Sequence, residues 1–521
     1  MIPEKNNSYK IILVVIGVAV FAMGIILFFI PPALFPDPAL GFQVLRSMQM
    51  GSSFNIFVSP DRGDISQNYE EFLTWWSPGQ YVIPWFFKLI SGLNMGRAIA
   101  STVTVCNLLG LAGFYYFFKK IGFTPFIAAT SLVFIFCQEA FMIPYVYYNG
   151  GEVLLFAFEG WYLYGCLTLK KPGLKLVLFV LLSGIIGFFL KSSFLWIYTA
   201  GLCFLWVRLC YSRIDIWQLT RKGLWIAIPT AISLAFIYLF FLSKGQNPAS
   251  APKAFKLTFN AFEFPLASPI LSGFSVDDLI HGLIYYAGKS VFNPEWGMIA
   301  LILFTLFSLL LVISLIRFVP NNNYRLVIFI FYSTSFLFFT VALSKAACSF
   351  EARHFRLIGI LIVPGVLYLV NRLKLVYKVV FAILFAGIAF TSILHMINGL
   401  KINNRNARAV TGIAQPNIDQ PSLNYIMKLD KENRNAIFVF ISGDTGLEII
   451  HNRLIALQPI DDDLKIDIND YKYDGHAGPL FIILPESYNG PKGKIVMKSF
   501  PGYKGFNLSM LSPNYVLCAA K

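Results

Sequence analysis

Ile11-Ile-Leu-Val-Val-Ile-Gly-Val-Ala-Val-Phe-Ala-Met-Gly-Ile-Ile-Leu-Phe-Phe-Ile30 is twenty residues without a charge or a strongly polar side chain. At a helical rise of 1.5 Å it reaches roughly 30 Å, the thickness of a bilayer's hydrocarbon core. Lys5 and Lys10 precede it and no small-residue cleavage site follows, so it reads as a retained first span and not as a signal peptide. Similar apolar runs recur as far as Ile397, with the charges confined to the gaps between them. Of 521 residues 57% are hydrophobic and only 13% charged. A soluble fold would need a core far larger than one domain buries. The fold class expected is therefore an α-helical polytopic membrane protein.

The same ruler places further helices near 98–118, 125–144, 152–169, 174–190, 193–210, 223–243, 297–317, 325–344, 355–371 and 376–397. The stretch from Leu174 to Cys210 is too long for one span and is divided at Lys191-Ser-Ser193. About eleven spans result. With the N-terminus inside, the inner loops carry sixteen Lys and Arg against only Glu4 and Asp215, and the outer loops carry a dozen acids. This asymmetry sets the orientation: N-terminus cytoplasmic, C-terminus extracytoplasmic, in the plasma (inner) membrane. The net charge of +15 sits at membrane flanks and not on a basic domain, which argues against a nucleic-acid partner.

The expected membrane domain covers 1–400 and includes two long outer loops, 32–97 and 244–296, the second carrying Asp277, Asp278 and His281. Within the first loop, Gln80-Tyr-Val-Ile-Pro-Trp-Phe-Phe-Lys-Leu-Ile90 is too short to span and suits an interfacial helix. Beyond residue 400 the character changes. Fourteen Lys and Arg face twelve Asp and Glu after Ile397, and Ala436-Ile-Phe-Val-Phe-Ile441 and Leu480-Phe-Ile-Ile-Leu484 read as strands. A small extracytoplasmic α/β domain over 401–521 is expected. Four of the seven cysteines fall in or beside spans and none forms a CxxC pair, so neither a disulfide framework nor a metal knuckle is indicated. No cofactor is expected. A divalent cation is possible in principle but not indicated; Asp461-Asp-Asp463 and Asp467-Ile-Asn-Asp470 lack the glycine spacing of a calcium loop.

Several charged groups on the outer side could carry chemistry. Asp37 follows the first span directly, and Asp61, Asp64, Glu70 and Glu71 share its loop. A partly desolvated carboxylate there can act as general base on an acceptor hydroxyl, although Phe35-Pro-Asp-Pro-Ala39 also suits a plain turn or helix cap. Glu152, in Asn149-Gly-Gly-Glu152, starts a span from the outer side, where it also complements the helix dipole. Glu159 lies further along the same span, and an acid there needs a partner. Arg353, His354 and Arg356 in Cys348-Ser-Phe-Glu-Ala-Arg-His-Phe-Arg356 would suit a phosphate, since guanidinium forks bind it bidentately and remain charged. Lys191 is a further cation of that kind. Ser442-Gly-Asp-Thr-Gly446 reads as a turn, being neither a dinucleotide fingerprint nor a P-loop.

The acid after the first span, the element Thr74-Trp-Trp-Ser-Pro-Gly-Gln-Tyr81, Glu152 at an outer span end and Arg353-His354 late in the membrane domain together resemble the GT-C glycosyltransferases. That superfamily includes protein O-mannosyltransferases and the aminoarabinose transferases of lipid A, and the motifs are similar to those of a bacterial branch of it. The resemblance covers roughly residues 11–400. It implies a polyprenyl-phosphate sugar donor, a lipid, glycan or protein acceptor, and transfer on the outer face. Asp37 would be the catalytic base, Glu152 the second acid and Arg353 a holder of the donor phosphate. Where many members carry an Asp-Glu pair this chain has Asp37-Pro38, so the second carboxylate must come from elsewhere, with Asp64 and Glu152 the candidates. The competing expectations are a transporter or flippase of a lipid-linked or anionic substrate, and a non-catalytic scaffold. The absence of a visible internal repeat weighs against the transporter.

Overall fold

The computed structural model describes residues 7–210, 216–245, 254–276, 285–286, 289–290, 294–461, 464 and 471–521. Glu4, Asp215, Asp277, Asp278, His281 and the acids at 462–463 and 467–470 lie outside these described residues. A helix stands at each of the eleven places expected. Among the described residues seven are long and apolar enough to cross a membrane: Ser8–Phe29, Met95–Ile121, Ile216–Lys244, Trp296–Phe318, Asn322–Ser344, Ala352–Val370 and Leu375–Arg405. An eighth span results if Pro125–Phe136 and Glu139–Tyr145, bent by 74° at their junction, are taken together. Leu174–Leu190 and Phe194–Cys210 are apolar but have only 17 residues each, roughly 26 Å of helix. The chain is thus a multi-pass membrane protein.

The chain folds into two compact units. The first comprises Met1–Gly24, Val103–Pro144 and Gly151–Asn398. Its helices approach closely where side chains are absent. A Cβ on Gly160 would lie 2.5 Å from the backbone nitrogen of Phe114, so Gly151–Thr168 packs backbone-on-backbone against Met95–Ile121. One element of this unit was not expected. Phe259–Gly273 is a mostly buried helix within the second outer loop; it starts at Thr258, whose hydroxyl caps Ala261 N–H, and contains Pro265 and Pro269. It packs against Pro294–Phe318, Asn322–Ser344 and Arg356–Val370. Ser272 donates to the Phe355 carbonyl at 3.1 Å, and Gln138, at the bend after Phe136, donates to the Gly273 carbonyl at 2.7 Å.

The second unit comprises Ile25–Thr102, Tyr145–Gly150 and Gly399–Lys521. Its centre is a five-stranded mixed sheet in the order Asn507–Ser512, Tyr515–Ala520, Leu480–Pro485, Ile437–Phe440, Arg453–Ala456. The last three strands run parallel and the first two join antiparallel. The two apolar runs picked out in the sequence are the central strands, buried on both faces, as parallel strands between two layers must be. Ile437, Val439 and Ile482 face one core and Phe438, Phe440 and Ile483 the other, the period-2 alternation of a strand. Part of the first outer loop completes this domain. Ile65 is fully buried in the first of those cores, its N–H donates to Asp474 at 2.8 Å, and Arg453 donates to its carbonyl at 2.8 Å. Gly79–Ser91 is an amphipathic helix that leaves Phe86, Leu89 and Ile90 exposed.

Candidate active site

In the first unit, three chain segments bring charged side chains to one small cavity. Gly150, at φ +61°, makes a left-handed turn that suits glycine and lets the helix Gly151–Thr168 begin with Glu152 in its first turn. Lys191 ends Leu174–Leu190 in an extended conformation, and the chain reverses within three residues into Phe194–Cys210. Arg353 and His354 lie in the helical turn Ala352–Phe355, which leads directly into Arg356–Val370. Glu152, Glu159, Lys191, Arg353, His354 and Arg356 all line the cavity, with Trp196 as its aromatic wall.

Glu152 holds the arrangement together. Its carboxylate pairs with the Lys191 ammonium, and its Oε1 lies 3.5 Å from Nη1 of Arg353. The Glu152 side chain is 9% exposed against 19% for Lys191 and 25% for Arg353, so the acid is desolvated more deeply than either cation. Arg353 also pairs with Glu351, which accepts from the Ser349 hydroxyl at 2.5 Å. The same hydroxyl is 3.3 Å from Nε2 of His354. Two turns deeper along the helix, Glu159 is buried on the cavity wall. Arg356 is buried too. Its guanidinium carbon sits 4.7 Å from the centroid of the Phe156 ring, and its Nη2 is sealed from solvent with no hydrogen-bond partner among the described residues.

A buried guanidinium N–H with no acceptor is costly and is expected to find one. The cavity lining carries Lys191, Arg353 and Arg356 against the carboxylates of Glu152 and Glu159, an excess of one positive charge. Its volume is about 20 Å³, space for a single water-sized group. An anion as large as a phosphate exceeds this volume, and the Lys191 and Arg353 groups that would receive it are paired with the Glu152 carboxylate.

The other two expected acids belong to the second unit. Asp37 lies half-buried in the first turn of Pro36–Gln49, where it complements the helix dipole. Just before it Ala33-Leu34 pairs in parallel with Tyr147-Tyr148. Asp64 is fully exposed, and its carboxylate accepts from Ser66 N–H at 3.0 Å. Its hydrogen bonding to Ser66 holds its pKa below the ordinary carboxylate value, with Arg453 adding to the effect. The Thr74–Tyr81 element builds the same unit: Tyr81 donates to Asn55 at 2.6 Å, and the Gln80 carbonyl accepts from Tyr148 at 2.7 Å. Ser442–Gly446 is a turn, with Asp444 accepting from Asn417. Among the described residues no cluster of three or more His, Cys, Asp or Glu could hold a metal ion.

No family model matches the sequence, and no curated protein matches it significantly. Solved structures do match. ArnT from Cupriavidus metallidurans bound to undecaprenyl phosphate aligns over 98% of each chain with a TM-score of 0.53 at 12% identity. The arabinofuranosyltransferase AftD from mycobacteria aligns over 98% of this chain and 41% of its own, with a TM-score of 0.51 at 11% identity. The chain has the GT-C fold. At these identities the likeness is one of fold, and the chemistry of this chain rests on its own residues.

Two features of this cavity escaped the sequence reading. The coupling of Glu152 to Lys191 joins residues 39 positions apart, and no local pattern announces it. Ser349, which links Glu351 to His354, is an unremarkable serine in a polar loop. Glu159 carried a usable signal, since seven residues from Glu152 places both acids on one helical face.

Proposed function

We propose that this chain is a membrane glycosyltransferase that moves a sugar from a polyprenyl-phosphate-linked donor to an acceptor hydroxyl on the extracytoplasmic face. The observation that carries the reading is the convergence of Lys191, Arg353 and Arg356 on one cavity with an excess of positive charge and an unsatisfied guanidinium N–H. The GT-C fold, shared with an ArnT bound to undecaprenyl phosphate, supports a lipid phosphate as the anion. The basic inner loops support a cytoplasmic N-terminus in the plasma membrane.

In this reaction the acceptor oxygen attacks the anomeric carbon, the bond from that carbon to the phosphate oxygen breaks, and its electron pair stays on the phosphate. Lys191, Arg353 and Arg356 stabilise the charge that develops there, with His354 in the same lining. Asp37 takes the acceptor proton as general base. Glu152 acts as counter-ion to Lys191 and Arg353 in the resting site and yields to the phosphate. A single displacement inverts the anomeric configuration, whereas a covalent route through a second carboxylate would retain it. Asp64, held by its own turn, is the weaker candidate for that second acid.

The test is turnover of radiolabelled polyprenyl-phosphate sugars by the purified chain in nanodiscs, with Asp37→Asn and Arg353→Ala as controls. Release or transfer of sugar by the wild type alone is expected. Movement of the intact sugar lipid across a bilayer without cleavage would replace this reading by a transporter.

A further inference from the structure

A second, larger cavity lies wholly within the second unit and takes no part in the chemistry above. Its volume is about 410 Å³, in the range of ligand sites. The end of Pro36–Gln49, the chain from Lys88 to Met95, Val410–Ile413 and the start of the C-terminal domain enclose it. Its walls are largely apolar, with Phe42, Leu93 and Ile413 among them.

The charges in the wall are not equivalent. Asp430 is saturated: it accepts from the N–H groups of Ile450 and His451, from the His451 ring at 2.8 Å and from Asn452 at 2.9 Å. Glu448 accepts from Thr411 N–H at 3.2 Å, from the Thr411 hydroxyl and from Gln415 at 3.3 Å. Both acids are thus consumed by the protein. The cations are not. Arg46 is only 7% exposed; its Nε and Nη2 bind the carbonyls of Ile449 and Asn452, while Nη1 has no partner among the described residues and is not sealed from the cavity. Lys88 and Lys431 make no ion pair among the described residues. Lys88 sits in the last turn of Gly79–Ser91, next to Leu89 and Ile90, which are 60% and 64% exposed and suit the membrane surface.

We propose that this cavity binds an anionic amphiphile, a phosphate-headed lipid at the membrane surface, with its phosphate on Arg46, Lys88 and Lys431 and its apolar part against Phe42, Leu93 and Ile413. The binding is independent of sugar transfer. A surface lysine attracts any anion, but a buried guanidinium with a free N–H beside an apolar wall selects one that brings hydrocarbon with it.

The experiment uses the full chain in phosphatidylcholine nanodiscs, titrated calorimetrically with dihexanoyl phosphatidate, dihexanoyl phosphatidylcholine or inorganic phosphate. The phosphatidate is expected to bind at least about tenfold more tightly than either comparison ligand, a step of about 1.4 kcal/mol. The Lys88→Ala/Lys431→Ala variant should weaken it at least about tenfold, and Leu93→Trp, which fills the cavity, should block it. Arg353→Ala removes any binding at the transfer site, so the binding that survives in it, and is lost when Lys88→Ala/Lys431→Ala is added, belongs to this cavity. Equal affinity for inorganic phosphate would reduce the cavity to a small-anion site and overturn the proposal. Absence of binding, or binding indifferent to both cavity variants, would overturn it as well. Loss of binding in Arg353→Ala would assign the signal to the transfer site instead.

Discussion

Replacing Glu152 by Gln separates two roles for that residue by the sign of an affinity change. The substitution keeps the shape of the side chain and removes one negative charge beside Lys191 and Arg353. Two unit charges about 6 Å apart at an effective dielectric of about 20 interact by roughly 3 kcal/mol, the scale of the repulsion between a phosphate and a carboxylate that share two cations. The cations are 19% and 25% exposed, so water screens part of this, and about 1–2 kcal/mol is the expected remainder. Glu152→Gln should therefore tighten binding of a polyprenyl phosphate by roughly 5- to 30-fold.

The same variant should slow transfer, because Lys191 and Arg353 lose the group that aligns them and the lipid-phosphate product leaves more slowly. A filter-binding or calorimetric titration of geranyl phosphate against the chain in nanodiscs gives the affinity, and single-turnover measurement separates chemistry from release. A residue that moves a proton would instead lower the rate and leave the affinity where it was. Unchanged or weaker binding in Glu152→Gln would refute the counter-ion reasoning.

Asp37→Asn should reduce transfer by about 10²–10⁴-fold, the usual worth of a general base, while binding of polyprenyl phosphate and membrane insertion stay at wild-type levels. Arg46→Met leaves the buried carbonyls of Ile449 and Asn452 without donors and should cost about 2–4 kcal/mol, read as faster proteolysis of the second unit at equal expression. Burial lowers the Arg46 pKa to about 10, opposed by Asp430, so it remains charged at neutral pH and the loss should not vary around pH 7. Burial raises the Glu448 pKa above its ordinary 4.5, so the folded form keeps a proton that the unfolded chain has released. Stability of the second unit should accordingly fall as pH climbs from about 4.5 through the raised folded value, and Glu448→Gln should flatten that slope in melts across the range.

The membrane helices were legible because each is an apolar run bounded by charge, and a bilayer leaves few other ways to satisfy such a run. Legibility failed where the pattern was mixed. Phe259–Gly273 is apolar, but with 15 residues it is too short to span and its two prolines and glutamate break the run, yet its neighbours bury it and Thr258 caps it. Gln138-Glu139 marks the place of the break after Phe136, but its angle of 74° is not readable locally. What fixes it is Gln138 reaching the Gly273 carbonyl, a contact made across 135 residues.

The same distinction divides the sites. Arg353, Arg356, Glu152 and Lys191 stood out because a charge inside or beside an apolar run breaks a regular pattern and must be compensated. Their convergence did not stand out, since compensation fixes only that a partner exists and leaves its position to packing. In the second unit even the first inference is lost. Ile65 is an isolated apolar residue among polar ones, and nothing around it points to a core built some 370 residues later from Ile437 and Val439. Arg46 looks like any loop arginine until the carbonyls of Ile449 and Asn452 close on it. Water satisfies polar groups in a loop as well as protein does, so the sequence there carries no unpaid demand from which a partner could be deduced.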